Sequence, residues 1–64
     1  MRNIRIPKSE DGSRFDRCLR RLLGYINQSV LEKYLRLGLI LLDTKKIKSS
    51  VKVRSDQIIF LSLI

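Results

Sequence analysis

Apolar residues recur with a helical rhythm over two short stretches of this chain. Phe15, Cys18, Leu19, Leu22 and Leu23 fall on one stripe and predict a helix over Ser13–Leu23 that stops at Gly24. Val30, Leu31, Tyr34 and Leu35 predict a second over Asn27–Leu37 that stops at Gly38, with Gly24-Tyr25-Ile26 as a tight connection. Ser13 is expected to start the first helix, with Asp16 as its capping-box partner, and Asn27 or Ser29 to cap the second. Gly38 suits a left-handed C-terminal cap.

Elsewhere the period shortens. Ile4-Arg5-Ile6 alternates apolar and basic, and Pro7 confines it to a sheet edge or a strand end. Ser9-Glu10-Asp11-Gly12 reads as a turn, Leu39–Leu42 as a strand, and Asp43-Thr44 as a turn before a short edge strand over Lys45–Lys48. Ser49-Ser50 breaks the chain, Val51-Lys52-Val53 alternates, Arg54–Gln57 turns, and Ile58–Ile64 closes the chain as an apolar strand. The expected class is α+β: two packed helices followed by a small, mostly antiparallel sheet, in one domain of 64 residues. Because the chain ends inside an apolar run, it is expected to be the N-terminal fragment of a longer protein.

Charge sharpens this picture. Fourteen Lys and Arg against six Asp and Glu give +8, which points to a polyanionic partner, either nucleic acid or an anionic membrane surface. Arg14, Arg17 and Arg21 lie opposite the apolar stripe of the first helix, flanked by Arg20, with Asp16 as the one acid expected to offset them. Ser29, Lys33 and Arg36 share the exposed side of the second helix. There is no His and Cys18 is the only cysteine, expected to be a buried thiol, so these residues hold no zinc finger, Cys/His nucleophile or other metal cluster. No catalytic group, cofactor or metal is expected here. Without a signal peptide or a run long enough to span a bilayer, the chain is expected to be cytoplasmic, with no membrane partner.

Arg14-Phe15-Asp16, then Ser29, Lys33, Arg36 and Gly38, then a strand, Asp43-Thr44-Lys45-Lys46-Ile47-Lys48 and a turn before Ile58, resemble a known module in order and spacing. It is the small RNA-binding domain named after small-subunit ribosomal protein four, the alpha-L motif, and the likeness covers residues 12 to 60. Within that family the chain is most similar to the N-terminal domains of large-subunit ribosomal RNA pseudouridine synthases of the synthase C kind, in which a separate catalytic domain follows. The resemblance implies the alpha-L fold, structured ribosomal RNA as partner, and an RNA-binding set of Arg14, Arg17, Arg20, Arg21, Gln28, Ser29, Lys33, Arg36, Lys45 and Lys46. A stand-alone RNA- or ribosome-binding protein of the same fold is the alternative it leaves.

The chain departs from the family pattern at several positions. Gln28 stands in place of a basic residue, Thr44 in place of Gly or Lys, Asp56-Gln57 in place of Gly-Asp, and Leu39 and Leu41 at positions that are often polar. These losses shift the expected burden onto the four arginines of the first helix. Arg14-Phe15-Asp16 also looks like the Arg-Leu-Asp of a pseudouridine synthase active site, but its continuation differs, and Asp16 reads as a capping and Arg-orienting residue.

With few aromatics, recognition is expected to rest on backbone and shape, with Tyr25 and Tyr34 as packing residues. Lys45, Lys46 and Lys48 extend the basic surface or, read structurally, protect a sheet edge, as Lys52 does too. The runner-up is a DNA-binding helix-turn-helix module, whose second helix offers only Gln28, Ser29, Lys33 and Arg36 to base edges while most of the charge lies on the first helix. A membrane-surface or protein-docking module would need the C-terminal apolar strand that the core requires.

Overall fold

In a computed structural model of the chain, residues 2–24 and 26–62 are described. The element order is β1 (Arg2–Arg5), a 3₁₀ turn (Lys8–Glu10), α1 (Phe15–Leu23), α2 (Gln28–Leu37), β2 (Ile40–Leu42) and β3 (Ile58–Leu61). The class is the expected α+β, with two helices and a three-stranded antiparallel sheet in the order β1-β3-β2. β3 pairs Ile59 with Ile4 on one side and with Leu42 on the other. The wholly apolar β3 takes the centre, and β1, which ends two residues before Pro7, takes an edge.

The core gathers Ile6, Phe15, Cys18, Leu19, Leu31, Leu35, Ile40, Leu42, Val53, Ile59 and Leu61 between the helices and one sheet face. Leu22, Leu23 and Tyr34 pack against it while half-buried. A domain of 64 residues has about 3–10 kcal/mol of net stability in all. Truncating a fully buried side chain such as Phe15 to alanine costs about 3–5 kcal/mol, a large share of that.

α2 follows its sequence signals closely. The Asn27 side chain accepts a hydrogen bond from Val30 N at 2.9 Å, so Asn27 rather than Ser29 is the cap. At the other end Gly38 adopts φ +75°, ψ +19°, and its N–H returns to the last turn.

α1 begins two residues later than the expected Ser13. The segment containing Val53 lies beside residues 12–14: Gly12 N donates to Val53 O (2.7 Å), Val53 N donates to Ser13 O (2.8 Å), and Arg14 bridges to Lys52. That pairing holds Arg14 extended at φ −65°, ψ 145°, with no capping bond from its side chain. No capping box forms between Ser13 and Asp16. The first N–H groups of α1 are taken up by Val51 O (to Phe15 N, 2.8 Å), Ser49 O (to Asp16 N, 3.0 Å) and the Asp16 carboxylate (to Arg17 N, 2.8 Å).

The expected edge strand over Lys45–Lys48 reduces to Lys45, which closes a two-residue turn against Leu42 with bonds of 2.9 and 3.0 Å. Asp43 and Thr44 both sit at positive φ (49° and 68°), as a type I′ turn requires. Beyond Lys45 the chain leaves the sheet to reach the start of α1, so residues 46–48 have no strand to pair with. Asp56, which stands where the family has Gly, takes a left-handed conformation (φ 71°) in the turn before β3. β3 ends at Leu61, one residue short of Ser62, whose N–H donates to Leu39 O (2.8 Å); positions 63 and 64 of the expected final strand, and Tyr25, lie outside the described residues.

Candidate nucleic-acid interface

The four arginines of the α1 region divide into two kinds. Arg14 and Arg21 are bound to carboxylates, whereas Arg17 and Arg20 are exposed with no carboxylate partner among the described residues. Arg14 donates Nε to Asp16 Oδ1 (3.2 Å) and Nη2 to Oδ2 (3.1 Å). Asp16 is only 6% exposed. Burial alone would raise its pKa, but the hydrogen bonds from Arg14 and from Arg17 N, with the Arg14 charge, outweigh it and leave the carboxyl below its ordinary value.

Arg21 reaches Glu10, a residue only 7% exposed in the turn before α1. Its Nε donates to both Glu10 oxygens (3.0 and 2.8 Å), while Nη2 donates to Oε1 (2.6 Å) and to Ser13 Oγ (3.1 Å). The hydrogen bonds from Arg21 lower the Glu10 pKa against an opposing effect of burial. Two acids therefore offset the arginine cluster, where Asp16 alone was expected. Both paired arginine side chains stay about half exposed, at 47% and 53%.

Gln28 sits half-buried where the two helices meet. It accepts from Arg20 Nη1 (3.4 Å) and donates to Asp16 Oδ2 (3.4 Å) and Glu32 Oε2 (2.8 Å). Its place in the fold is a junction between α1 and α2. The uncharged amide suits that junction because it donates and accepts at once, which an arginine cannot do. Glu32 in turn accepts from Ser49 Oγ at 2.7 Å, which ties α2 to the 45–50 loop.

These bonds connect three basic segments. Gln28, Glu32 and Arg36 form a row at four-residue spacing along α2, with Arg20 at one end. Between the lower part of that row and the loop lies a groove of about 430 Å³, lined by Glu32, Leu35, Arg36, Lys46, Ile47, Lys48, Ser49 and Ser50. Lys46 and Lys48 are exposed on its rim, and the stem of Lys46 lies over Gly38, where a Cβ would come within 3.6 Å of Lys46 Cδ. Ser29 and Lys33 are exposed on α2, and Lys45 is exposed at the hairpin end.

The residues missed at sequence level are Glu10, Glu32 and Ser49. Glu32 was readable as the four-residue neighbour of both Gln28 and Arg36; the Glu10–Arg21 pair carried no local signal.

Cys18 is fully buried, and burial followed by the nearby Glu10 charge pushes its thiol pKa to about 11, away from the reactive thiolate. Among the described residues no three of His, Cys, Asp or Glu come together as a metal site, and no helix is long and apolar enough to cross a membrane. No family model, curated protein or solved structure matches the chain.

Proposed function

We propose that this chain is an RNA-binding module of the alpha-L type that docks structured ribosomal RNA, and that in the full-length protein it positions a following pseudouridine synthase domain. The observation that carries the reading is the hydrogen-bonded connection of three basic segments around Gln28, Glu32 and Ser49. It ties Arg20 to Gln28 at one end of the α2 row and draws the loop that carries Lys46 and Lys48 to the groove beside Arg36, with Arg17 exposed on the same helix as Arg20. The order of Arg14-Phe15-Asp16, Ser29, Lys33, Gly38 and Lys45-Lys46 along the chain supports the family resemblance.

Binding then rests on phosphates and RNA shape, with Arg supplying two-pronged contacts and Lys point charges. Asp16 orients Arg14 and closes the start of α1. The whole assembly acts as a cytoplasmic docking arm, and isomerisation of uridine belongs to the other domain.

Anisotropy titration of a ribosomal RNA hairpin and a DNA duplex of the same sequence, over one salt series, tests the reading. Tighter binding to RNA at every salt concentration is expected. Equal affinity for both duplexes, or binding to anionic vesicles without binding to RNA, refutes it. The coding sequence beyond codon 64 tests the second half, since a synthase domain must follow in frame.

A further inference from the structure

The groove between α2 and the loop contains a carboxylate that a purely phosphate-binding surface would exclude. Glu32 is exposed to solvent, and its Oε2 accepts from both Gln28 Nε2 (2.8 Å) and Ser49 Oγ (2.7 Å), which orients the carboxylate. Oε1 accepts no hydrogen bond from any described residue. Arg36, Lys46 and Lys48 line the same groove, yet none forms an ion pair with Glu32; the ion pairs among the described residues are Arg14–Asp16 and Arg21–Glu10. The floor is aliphatic, from Leu35 and Ile47.

We propose that this groove is a subsite for one unpaired guanine of the bound RNA, an inference that rests on the RNA-binding reading above. A phosphate alone meets repulsion from Glu32, whereas a base that presents N–H groups meets a waiting acceptor. Unpaired bases in RNA are read on their Watson–Crick edges. Guanine is the RNA base whose edge carries two adjacent donors, N1–H and the 2-amino group, followed by an acceptor, O6. The donors meet Glu32 and O6 meets a cation of the rim, either Arg36 or Lys48. Uracil places acceptors on both sides of its single N–H, and adenine and cytosine place a ring acceptor beside the amino group, towards the carboxylate. Leu35 and Ile47 offer an apolar surface to the ring face, and the remaining rim cations suit the flanking phosphates. About 430 Å³ is ample for a base, within the roughly 300–1,000 Å³ of ordinary small-molecule sites.

Hairpins that share one stem and differ only in a loop guanosine, inosine or adenosine provide the test. The wild-type chain should bind the guanosine loop about tenfold more tightly than the adenosine loop, with inosine, which lacks the 2-amino group, in between. Glu32→Gln keeps an oxygen to accept from Ser49 but replaces the free acceptor oxygen with an amide donor, and it should abolish the preference for the guanosine loop over the adenosine loop. Amide shifts at Glu32, Ile47 and Ser49 should be larger with 5′-GMP than with 5′-AMP, which shares the phosphate but not the donor edge. Equal affinity for all three loops, or a preference that survives in Glu32→Gln, overturns the guanine subsite and leaves the docking reading intact. Failure to bind any hairpin at low salt refutes the docking reading instead; the subsite is then decided by the mononucleotides, and equal shifts with GMP and AMP overturn it.

Discussion

The division of the arginines into paired and free pairs makes a quantitative prediction about salt dependence. Arg17, Arg20, Lys33, Arg36, Lys45, Lys46 and Lys48 are exposed and form no ion pair among the described residues. If each meets one phosphate, log affinity should fall against log salt with a slope of about −5 to −6, from the release of roughly 0.7–0.9 counterions per contact. The double change Arg17→Ala/Arg20→Ala removes two contacts and should flatten the slope by about 1.4–1.8. Its thermal midpoint should stay close to wild type, because neither guanidinium holds a carboxylate. Arg14→Ala/Arg21→Ala removes the same charge but leaves Asp16 and Glu10, only 6% and 7% exposed, without their ion-pair partners. That variant should lose thermal and urea stability, and once folded it should keep most of the wild-type slope. Anisotropy titrations of one RNA hairpin between low and moderate salt, alongside thermal melts, measure both quantities. If Arg14→Ala/Arg21→Ala flattens the slope as much as Arg17→Ala/Arg20→Ala does, the paired arginines are RNA ligands and the division fails.

Acid should weaken the fold through the same two pairs. Both carboxylates have folded pKa values below their ordinary ones, so their contribution is present above the ordinary carboxylate range. It is lost as pH falls below the ordinary carboxylate range and through the lower folded values; melts across the acid range should show the midpoint falling there, less steeply in Glu10→Gln. Thr44 is β-branched at φ +68°, where an ordinary residue costs about 1–2 kcal/mol. Thr44→Gly should recover about 0.5–1 kcal/mol after the entropy of glycine is charged against it, raising the melting midpoint by roughly 2–8 °C; an unchanged or lower midpoint would show that the turn is not strained. Cys18 should resist a thiol reagent at pH 8 in the native protein and react only as fast as the chain unfolds, since its pKa is raised to about 11. Rapid native labelling would contradict its burial.

Much of the secondary structure was legible because its causes are local. The stripe of Phe15, Cys18 and Leu19 is a matter of helical period, the Asn27 cap and the Gly38 stop depend on neighbouring backbone groups, and Pro7 confines β1 to an edge whatever lies beyond it. The start of α1 was not legible, because Arg14 is kept extended by the segment that contains Val53, some forty residues further along.

The sequence by itself determined which side chains could be charged ligands and which helix faces they occupy. Only the tertiary structure decided which of them remain free. Arg14, Arg17, Arg20 and Arg21 look alike in one dimension, but a charge takes its partner from whatever the fold brings within a few ångströms. The turn that carries Glu10 claims Arg21, Asp16 claims Arg14, and Gln28 becomes a junction between helices. The same convergence leaves one oxygen of Glu32 open in a basic groove, a feature that no periodicity along the chain encodes.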